Sequence, residues 1–403
     1  MINVCVIGLG YVGLPLCLTI SKKFQTIGFD INKSRINNLN KKKDVNNEFK
    51  RSEFDNRKIN FTSNISDIKK SNFYIICVPT PITNKKIPDL KPIQKSFETI
   101  ARVLKNGDIV VLESTVYPGV TSNFTNFLEK KTKLKNNKDF FVCYSPERIN
   151  PGDKQNNLTK INKIFAVNTK KKDVINCINK VYKNFCKKLI ITDSIKEAET
   201  AKVIENIQRD LNIAIFNEIL IICNKLNINF PEVIRLAKTK WNFLNFQPGL
   251  VGGHCLPVDP FYLAYIASKK KFKTITTLAG RKTNDSMENY VINFFKKFIN
   301  KKKLKSNTYK VLILGLSYKY GVADKRNSIN LKIYDKIKTI NKHTTAFDPF
   351  VTDKIFNNIK NTKKLEAYDV VLFLSRGKIY KELFNKLQKI KPNNILDPFF
   401  YYQ

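Results

Sequence analysis

Residues 1–30 read MINVCVIGLGYVGLPLCLTISKKFQTIGFD. An apolar run at 2–7 (INVCVI) leads into Gly8-Leu9-Gly10-Tyr11-Val12-Gly13, a helix-like apolar segment follows, and a second run at 26–30 ends in Asp30. Strand, glycine turn, helix, strand and acid form the order of a dinucleotide-binding unit. The 17 residues from Gly13 to Asp30 are close to the roughly 20 expected there. The glycines let the backbone, with Tyr11 and Val12 in the turn, approach a pyrophosphate at a helix N-terminus. Asp30 can accept the ribose hydroxyls of an adenosine and would repel a 2′-phosphate, which favours NAD over NADP. Lys33 and Arg35 lie close enough to join that site and to soften the preference.

Outward from this unit, short apolar runs recur at 59–62, 73–78, 109–113, 139–144, 163–167 and 188–192, separated by helix-sized spacers. Such runs predict buried parallel strands with crossover helices. From 196 to about 230 the chain changes character, and as far as Leu226 it lacks both Pro and Gly. Apolar residues at helical spacing predict one helix of about 30 residues there. A Pro/Gly-rich loop at 247–260 precedes helical stretches at 260–271 and 284–303, and a polar linker spans 304–309. Strand-like runs then restart at 310–316, 343–348, 369–374 and 393–397. The expectation is an α/β protein: two Rossmann-like, doubly wound parallel-sheet domains (1–195 and 304–403) joined by a central helical region (196–303) with one long helix.

Composition narrows the functional classes. With 403 residues, 42% hydrophobic and 26% charged, the chain is globular and has room for several domains. The net charge of +39 first suggests nucleic acid. Yet only ten of the 72 basic residues are Arg, and the Lys are scattered among Asn along nearly every segment. Nucleic-acid readers concentrate Arg, whose planar fork makes bidentate bonds, so a solvated lysine-rich surface and no nucleic-acid partner are expected. No stretch reaches the ~18 apolar residues of a membrane helix, and without a basic n-region or small-residue cleavage site at its start no secretory signal is expected. Eight Cys without a CxxC pair fit a reducing cytoplasm. Two His are too few for a His-based metal site, so no metal is expected.

The chemistry concentrates in a few places. Gly252-Gly253-His254-Cys255-Leu256-Pro257-Val258-Asp259 sets a Cys behind paired glycines with a carboxylate four residues on. Paired Gly lets a ligand come close, and a thiol there is placed for chemistry. On the long helix, Lys202 and Asn206 share one face and can hold an oxygen gathering negative charge. Three strand ends carry polar residues: Val78-Pro79-Thr80-Pro81, Glu113-Ser114-Thr115 and Ser145-Pro146-Glu147-Arg148. Ligands of open α/β sheets bind beyond such carboxyl ends.

Together these pieces resemble the nucleotide-sugar 6-dehydrogenase family, which includes UDP-glucose, GDP-mannose and UDP-N-acetylhexosamine dehydrogenases. The matching blocks are GLGYVGLPL at 8–16, VPTP at 78–81, ESTVYPG at 113–119, YSPERINPG at 144–152, AKVIENIQRDLNIAIFNE at 201–218, GLVGGHCLPVDP at 249–260 and GLSYKYGVADKRNS at 315–328. The His before the Cys and the Val-Asp-Pro after it resemble the UDP-N-acetyl-glucosamine/galactosamine branch.

The resemblance implies a homodimer, packed through the long helix, that oxidises C6 of a UDP-N-acetylhexosamine to the acid with two NAD⁺. Cys255 would form the thiohemiacetal and thioester. Lys202 and Asn206 would stabilise the oxygen, Asp259 would orient water or hold Lys202, and Thr115 and Glu147 would position water and substrate. Pro79, Thr80 and Thr115 would line the nicotinamide side. Arg148, Gly252, Arg281, Tyr318 and Lys319 would contact the substrate, with Asp324 and Arg326 as neighbours of Lys319. The family's cross-subunit Arg has no counterpart in 238–245, where Lys238 and Lys240 are the cations. The product would feed a surface polysaccharide. UDP-ManNAc and UDP-glucose are alternative substrates, and a two-electron hydroxyacid dehydrogenase is the alternative of another class.

Overall fold

The computed structural model describes residues 1–46, 48–55, 57–148, 158–305, 308–351 and 365–402. The end of the 144–152 block (149–152) and Ser306 and Asn307 of the linker lie outside the described residues. The chain forms two compact units: Met1–Glu205 with Phe261–Lys273, and Asn206–Pro260 with Thr274–Gln403.

The first unit runs β1 (Asn3–Ile7), α1 (Gly13–Ile20), β2 (Gln25–Phe29), α2 (Lys33–Asn40), β3 (Ile59–Thr62), α3 (Ile65–Ile68), β4 (Phe73–Ile76), α4 (Lys91–Ala101), β5 (Ile109–Leu112), α5 (Val120–Thr132), β6 (Phe141–Tyr144), β7 (Asn162–Val167), α6 (Lys172–Tyr182), β8 (Lys188–Thr192) and the start of α7 (Ile195–Lys225). Its sheet has the order β3-β2-β1-β4-β5-β6-β7-β8. β4, β5 and β6 are buried at every position. Alternate residues feed two cores: Val4, Phe73 and Val111 pack on one face, and Cys5, Tyr74 and Val110 on the other. Apolar side chains on both faces produce the unbroken runs seen in the sequence.

One expectation is corrected. β7 pairs antiparallel to β6 (Tyr144 opposite Ala166) and parallel to β8. A parallel neighbour needs a crossover of a dozen or more residues, usually a helix. The polar, proline- and glycine-containing stretch between β6 and β7 has no helical periodicity, so its sequence offers no crossover helix.

The second unit contains the rest of α7, α8 (Phe230–Ala237), the start of α9 (Asp259–Lys269), α10 (Ile275–Lys301), β9 (Val311–Leu314), α11 (Ile329–Ile340), β10 (Thr344–Phe347), β11 (Val370–Phe373), α12 (Lys378–Ile390) and β12 (Ile395–Leu396). Its sheet, β10-β9-β11-β12, is wholly parallel. The long helix α7 has 31 residues. It ends where Asn227 adopts a positive φ and Ile228 N–H reaches back to the Cys223 carbonyl at 2.8 Å, a left-handed C-terminal cap. Helix α10 starts at Ile275, earlier than the 284 the sequence suggests, and contains Gly280. A Cβ at Gly280 would lie 2.4 Å from Leu211 of α7. The glycine therefore serves a close helix crossing and does not break the helix.

Candidate active site

In the first unit, Gly8 follows β1 with φ +90° and donates to the Phe29 carbonyl at 2.9 Å. A Cβ on Gly13 would sit 1.8 Å from the Gly8 carbonyl oxygen, whereas one on Gly10 would meet nothing within 4 Å beyond its chain neighbours. Two glycines are thus required by the turn itself, and the third leaves open space before α1. The N-cap residue of α1, Val12, supplies no side-chain cap, so the helix's leading amides are not satisfied that way. Tyr11 and Val12 are half-buried in the turn. Asp30 accepts from Leu9 N–H (2.8 Å) and Asn32 N–H (2.9 Å), which fixes its carboxylate beside the turn. Arg35 is buried: its Nε donates to the Leu9 carbonyl and one terminal nitrogen pairs with Asp44 at 2.7 Å. It braces the turn from behind.

β1, β4, β5 and β6 are neighbours in the sheet, so four segments emerge along one edge: the glycine turn, 78–81, 113–115 and 145–148. Ser114 Oγ donates to the Val78 carbonyl at 2.7 Å, and Tyr262 OH donates to the Thr80 carbonyl at 2.5 Å. Thr80 and Thr115 are half-buried, and Pro79 is exposed.

At the same edge lies a charged cluster in which sequence reasoning named Glu113 and Glu147 but missed Lys163 and Tyr182. Lys163 Nζ contacts Glu113 Oε2 at 2.5 Å, the Pro146 carbonyl at 3.2 Å and Glu147 Oε2 at 3.5 Å. Tyr182 OH donates to the other Glu113 oxygen at 2.7 Å. Burial pushes Glu113 up to about 7, with Lys163 opposing it. Burial by itself would lower the Lys163 pKa, but the charges of Glu113 and Glu147 outweigh it and hold it above the usual lysine value. The available signal was a lysine inside a strand-like apolar run. Arg148 pairs with Glu205 on α7, three residues beyond the buried Lys202.

In the second unit, Cys255 is exposed, whereas Cys5, Cys17, Cys77, Cys143, Cys186 and Cys223 are buried and Cys177 is intermediate. Burial pushes the thiols of Cys5, Cys17, Cys77, Cys143, Cys177 and Cys186 upward, which makes them poor nucleophiles. The Cys255 carbonyl accepts from Val258 and Asp259 N–H, so the Cys stands one turn ahead of α9. Asn206 Nδ2 donates to Asp259 Oδ2 at 2.5 Å. The loop lies hard against residues 318–327: a Cβ on Gly252 would come within 2.9 Å of the Asn327 oxygen, and one on Gly253 within 2.8 Å of the Tyr318 ring. His254 Nε2 meets Asp324 Oδ2 at 3.1 Å, and Arg326 also donates to that carboxylate. Burial raises the Asp324 pKa, but the hydrogen bonds from His254 and Arg326 outweigh it and hold the group well below the ordinary range. Tyr318 and Lys319 are half-buried on this segment. Arg281 is placed differently from its expected role: it is buried on α10, paired with Asp210 and, at 3.1 Å, with Asp285. Asn217 links this network to the Cys loop by exchanging two hydrogen bonds with Gly249.

Comparison with known proteins matches three domains of one family: its NAD binding domain over residues 2–186, its central domain over 196–286 and its UDP binding domain over 312–401. The chain belongs to the UDP-glucose/GDP-mannose dehydrogenase family. A UDP-N-acetyl-D-glucosamine 6-dehydrogenase of Salmonella typhi is 47% identical over 87% of this chain and 83% of its own length. Protein CapL of Staphylococcus aureus is 44% identical over 94% and 91%. The solved UDP-D-ManNAc dehydrogenase of Pyrococcus horikoshii, 29% identical, superposes with a TM-score of 0.87 over 100% of this chain and 96% of that one. The family's NAD-binding domain is the first unit's glycine turn and sheet, and the cradle around Gly8, Gly10, Gly13 and Asp30 fits that cofactor. Among the described residues no helix is long and apolar enough to cross a membrane.

Proposed function

We propose that this protein oxidises C6 of a UDP-N-acetylhexosamine, UDP-GlcNAc or UDP-GalNAc, to the uronic acid in two NAD⁺-dependent steps. The observation that carries the reading is Cys255, an exposed thiol one turn ahead of Asp259, whose carboxylate holds the Asn206 amide. The relatives named UDP-N-acetyl-D-glucosamine 6-dehydrogenase, at 44% and 47% identity, support the sugar class.

The turn at Gly8–Gly13 with Tyr11 and Val12, together with Asp30, Pro79, Thr80 and Thr115, would hold NAD⁺, which would supply the hydride acceptor for both oxidations of C6. Arg35 keeps the turn in shape. The first oxidation yields an aldehyde and releases the hydroxyl proton. Cys255 Sγ then adds to the carbonyl carbon, giving a thiohemiacetal whose oxygen Lys202 and Asn206 stabilise. The second oxidation leaves a thioester, and thiolate departs as water adds, giving the carboxylate. Asp259 orients Asn206, while Glu147 and Thr115 position water and substrate. Arg148 holds its loop to α7 through Glu205. Gly252, Tyr318 and Lys319 would meet the nucleotide-sugar, with Lys319 as the cation for its diphosphate. We assign Arg281 to the scaffold, because its guanidinium faces two carboxylates.

Three regions, 1–195, 196–303 and 304–403, would bind cofactor, form the dimer and bind the UDP-sugar. A homodimer through α7 is supported by the exposed Ile204, Ile215 and Ile222 on that helix. A thiol nucleophile suits the reducing cytoplasm, where the product would serve surface polysaccharide synthesis. The test is a panel of UDP-GlcNAc, UDP-GalNAc, UDP-ManNAc and UDP-glucose with NAD⁺ and NADP⁺, counting NADH per sugar. Two NADH per N-acetylhexosamine, and no uronate from Cys255→Ala, are expected. One NADH per sugar, or full turnover by Cys255→Ala, sinks the reading.

A further inference from the structure

Among the described lysines of this strongly basic chain, Lys163 stands apart because its side chain is fully enclosed. A buried ammonium is costly unless it is paired and hydrogen-bonded, and an apolar residue would often serve stability as well. Its position follows from the reversal of β7. Tyr144 lies opposite Ala166 in an antiparallel pair, so the start of β7, with Asn162 and Lys163, extends past the carboxyl end of β6. A parallel β7 would have put Lys163 at the opposite edge. The reversal brings the ammonium to Glu113 after β5 and to Pro146 and Glu147 after β6. Tyr182 from α6 fixes the far oxygen of Glu113, so the Lys163–Glu113 pair is itself held in place.

We propose that Lys163 is a positioning residue of the active site, acting through Glu147. Its ammonium draws the Glu147 carboxylate and the Pro146 carbonyl toward one point and sets where that carboxylate stands at the sheet edge. Lys163 touches neither substrate nor cofactor. The inference rests on the role of Glu147 proposed above.

The experiment compares Lys163→Met, Lys163→Arg, Glu147→Gln and the double variant Lys163→Met/Glu147→Gln, using UDP-N-acetylglucosamine and NAD⁺ with the full-length protein. Lys163→Met should lower kcat roughly ten- to a hundredfold, the range seen when an outer partner of a functional ligand is lost. KM for NAD⁺ should stay within about twofold and Lys163→Arg should recover most of the rate, because the proposal concerns orientation of one carboxylate. The double variant should be no slower than the slower single one, since both changes remove one interaction. Lys163→Gln, which keeps a donor for the Pro146 carbonyl without the charge, repeats the test should the methionine variant fold poorly. A slow Glu147→Gln beside unaltered kcat in the folded Lys163 variants would overturn the proposal alone. Multiplying effects in the double variant would also overturn it. Full activity of Glu147→Gln would remove the Glu147 role, and the proposal with it.

Discussion

Arg281→Met separates two roles for one residue, a contact to the substrate and a strut of the scaffold. Arg281 is 1% exposed and Asp210 is fully buried. The pair is reinforced by Asn284, which donates to Asp210 Oδ1 at 2.8 Å. Removing the guanidinium leaves a buried carboxylate without its counter-charge, a loss of about 3–5 kcal/mol. Burial already raises the Asp210 pKa against the opposing Arg281. The variant can therefore relieve the loss by binding a proton, and about 3 kcal/mol is the expected net. For a unit of this size each kcal/mol shifts Tm by ~2–4 °C, so the midpoint should fall about 6–12 °C. Because a protonated Asp210 needs no partner, the deficit should narrow at acid pH. Asp210→Asn/Arg281→Met should recover part of the midpoint, as replacing both partners leaves no stranded charge. Thermal unfolding and steady-state kinetics on the same preparations decide the matter. A midpoint within about 2 °C of the parent, combined with a large rise in KM for the nucleotide sugar, would refute the scaffold reasoning and return Arg281 to the substrate.

Three further outcomes are expected at the cofactor turn and at the sheet edge. Gly13→Ala places a Cβ 1.8 Å from a backbone oxygen that no side-chain motion can clear, so NADH binding followed by fluorescence should be lost. Gly10→Ala meets nothing within 4 Å beyond its chain neighbours, so it should fold like the parent yet bind NADH weakly, and unchanged affinity would show that the open space is not the cofactor's. Glu113 is raised to about 7 from 4.5. Between those values the folded state holds a proton that the unfolded state has lost, so stability should fall as pH rises from about 4.5 to 7, by on the order of 3 kcal/mol at most. Asp108, raised to about 6 chiefly by burial, contributes in the same direction. Denaturant titrations across this range should show a shallower slope for Glu113→Gln, and an identical slope would contradict the assignment.

Much of this protein was legible in its residues. The twelve apolar runs matched the strands among the described residues, and in β4, β5, β6, β9 and β11 side chains buried on both faces leave no polar alternation. The glycine turn and Asp30 were readable because a backbone with no room for a Cβ admits only Gly, as at Gly13. Cys255 stood out through its neighbours, and exposure then distinguished it from the buried thiols. What the sequence left open was direction and environment. An apolar run reports that a strand forms, not which way it runs, and only the pairing of β7 with β6 showed its direction. Residue type likewise does not show what a charge faces. Arg281 reads as an anion contact until Asp210 and Asp285 are found around it. Lys163 is one lysine among many until the reversal of β7 places it between two glutamates. Local chemistry and covalent spacing are written along the chain, so sequence alone determined most of the elements and the cofactor turn, and it singled out Cys255 as the candidate thiol. The partners of buried charges come from distant segments, 50 residues apart for Glu113 and Lys163, and only the tertiary structure decided them.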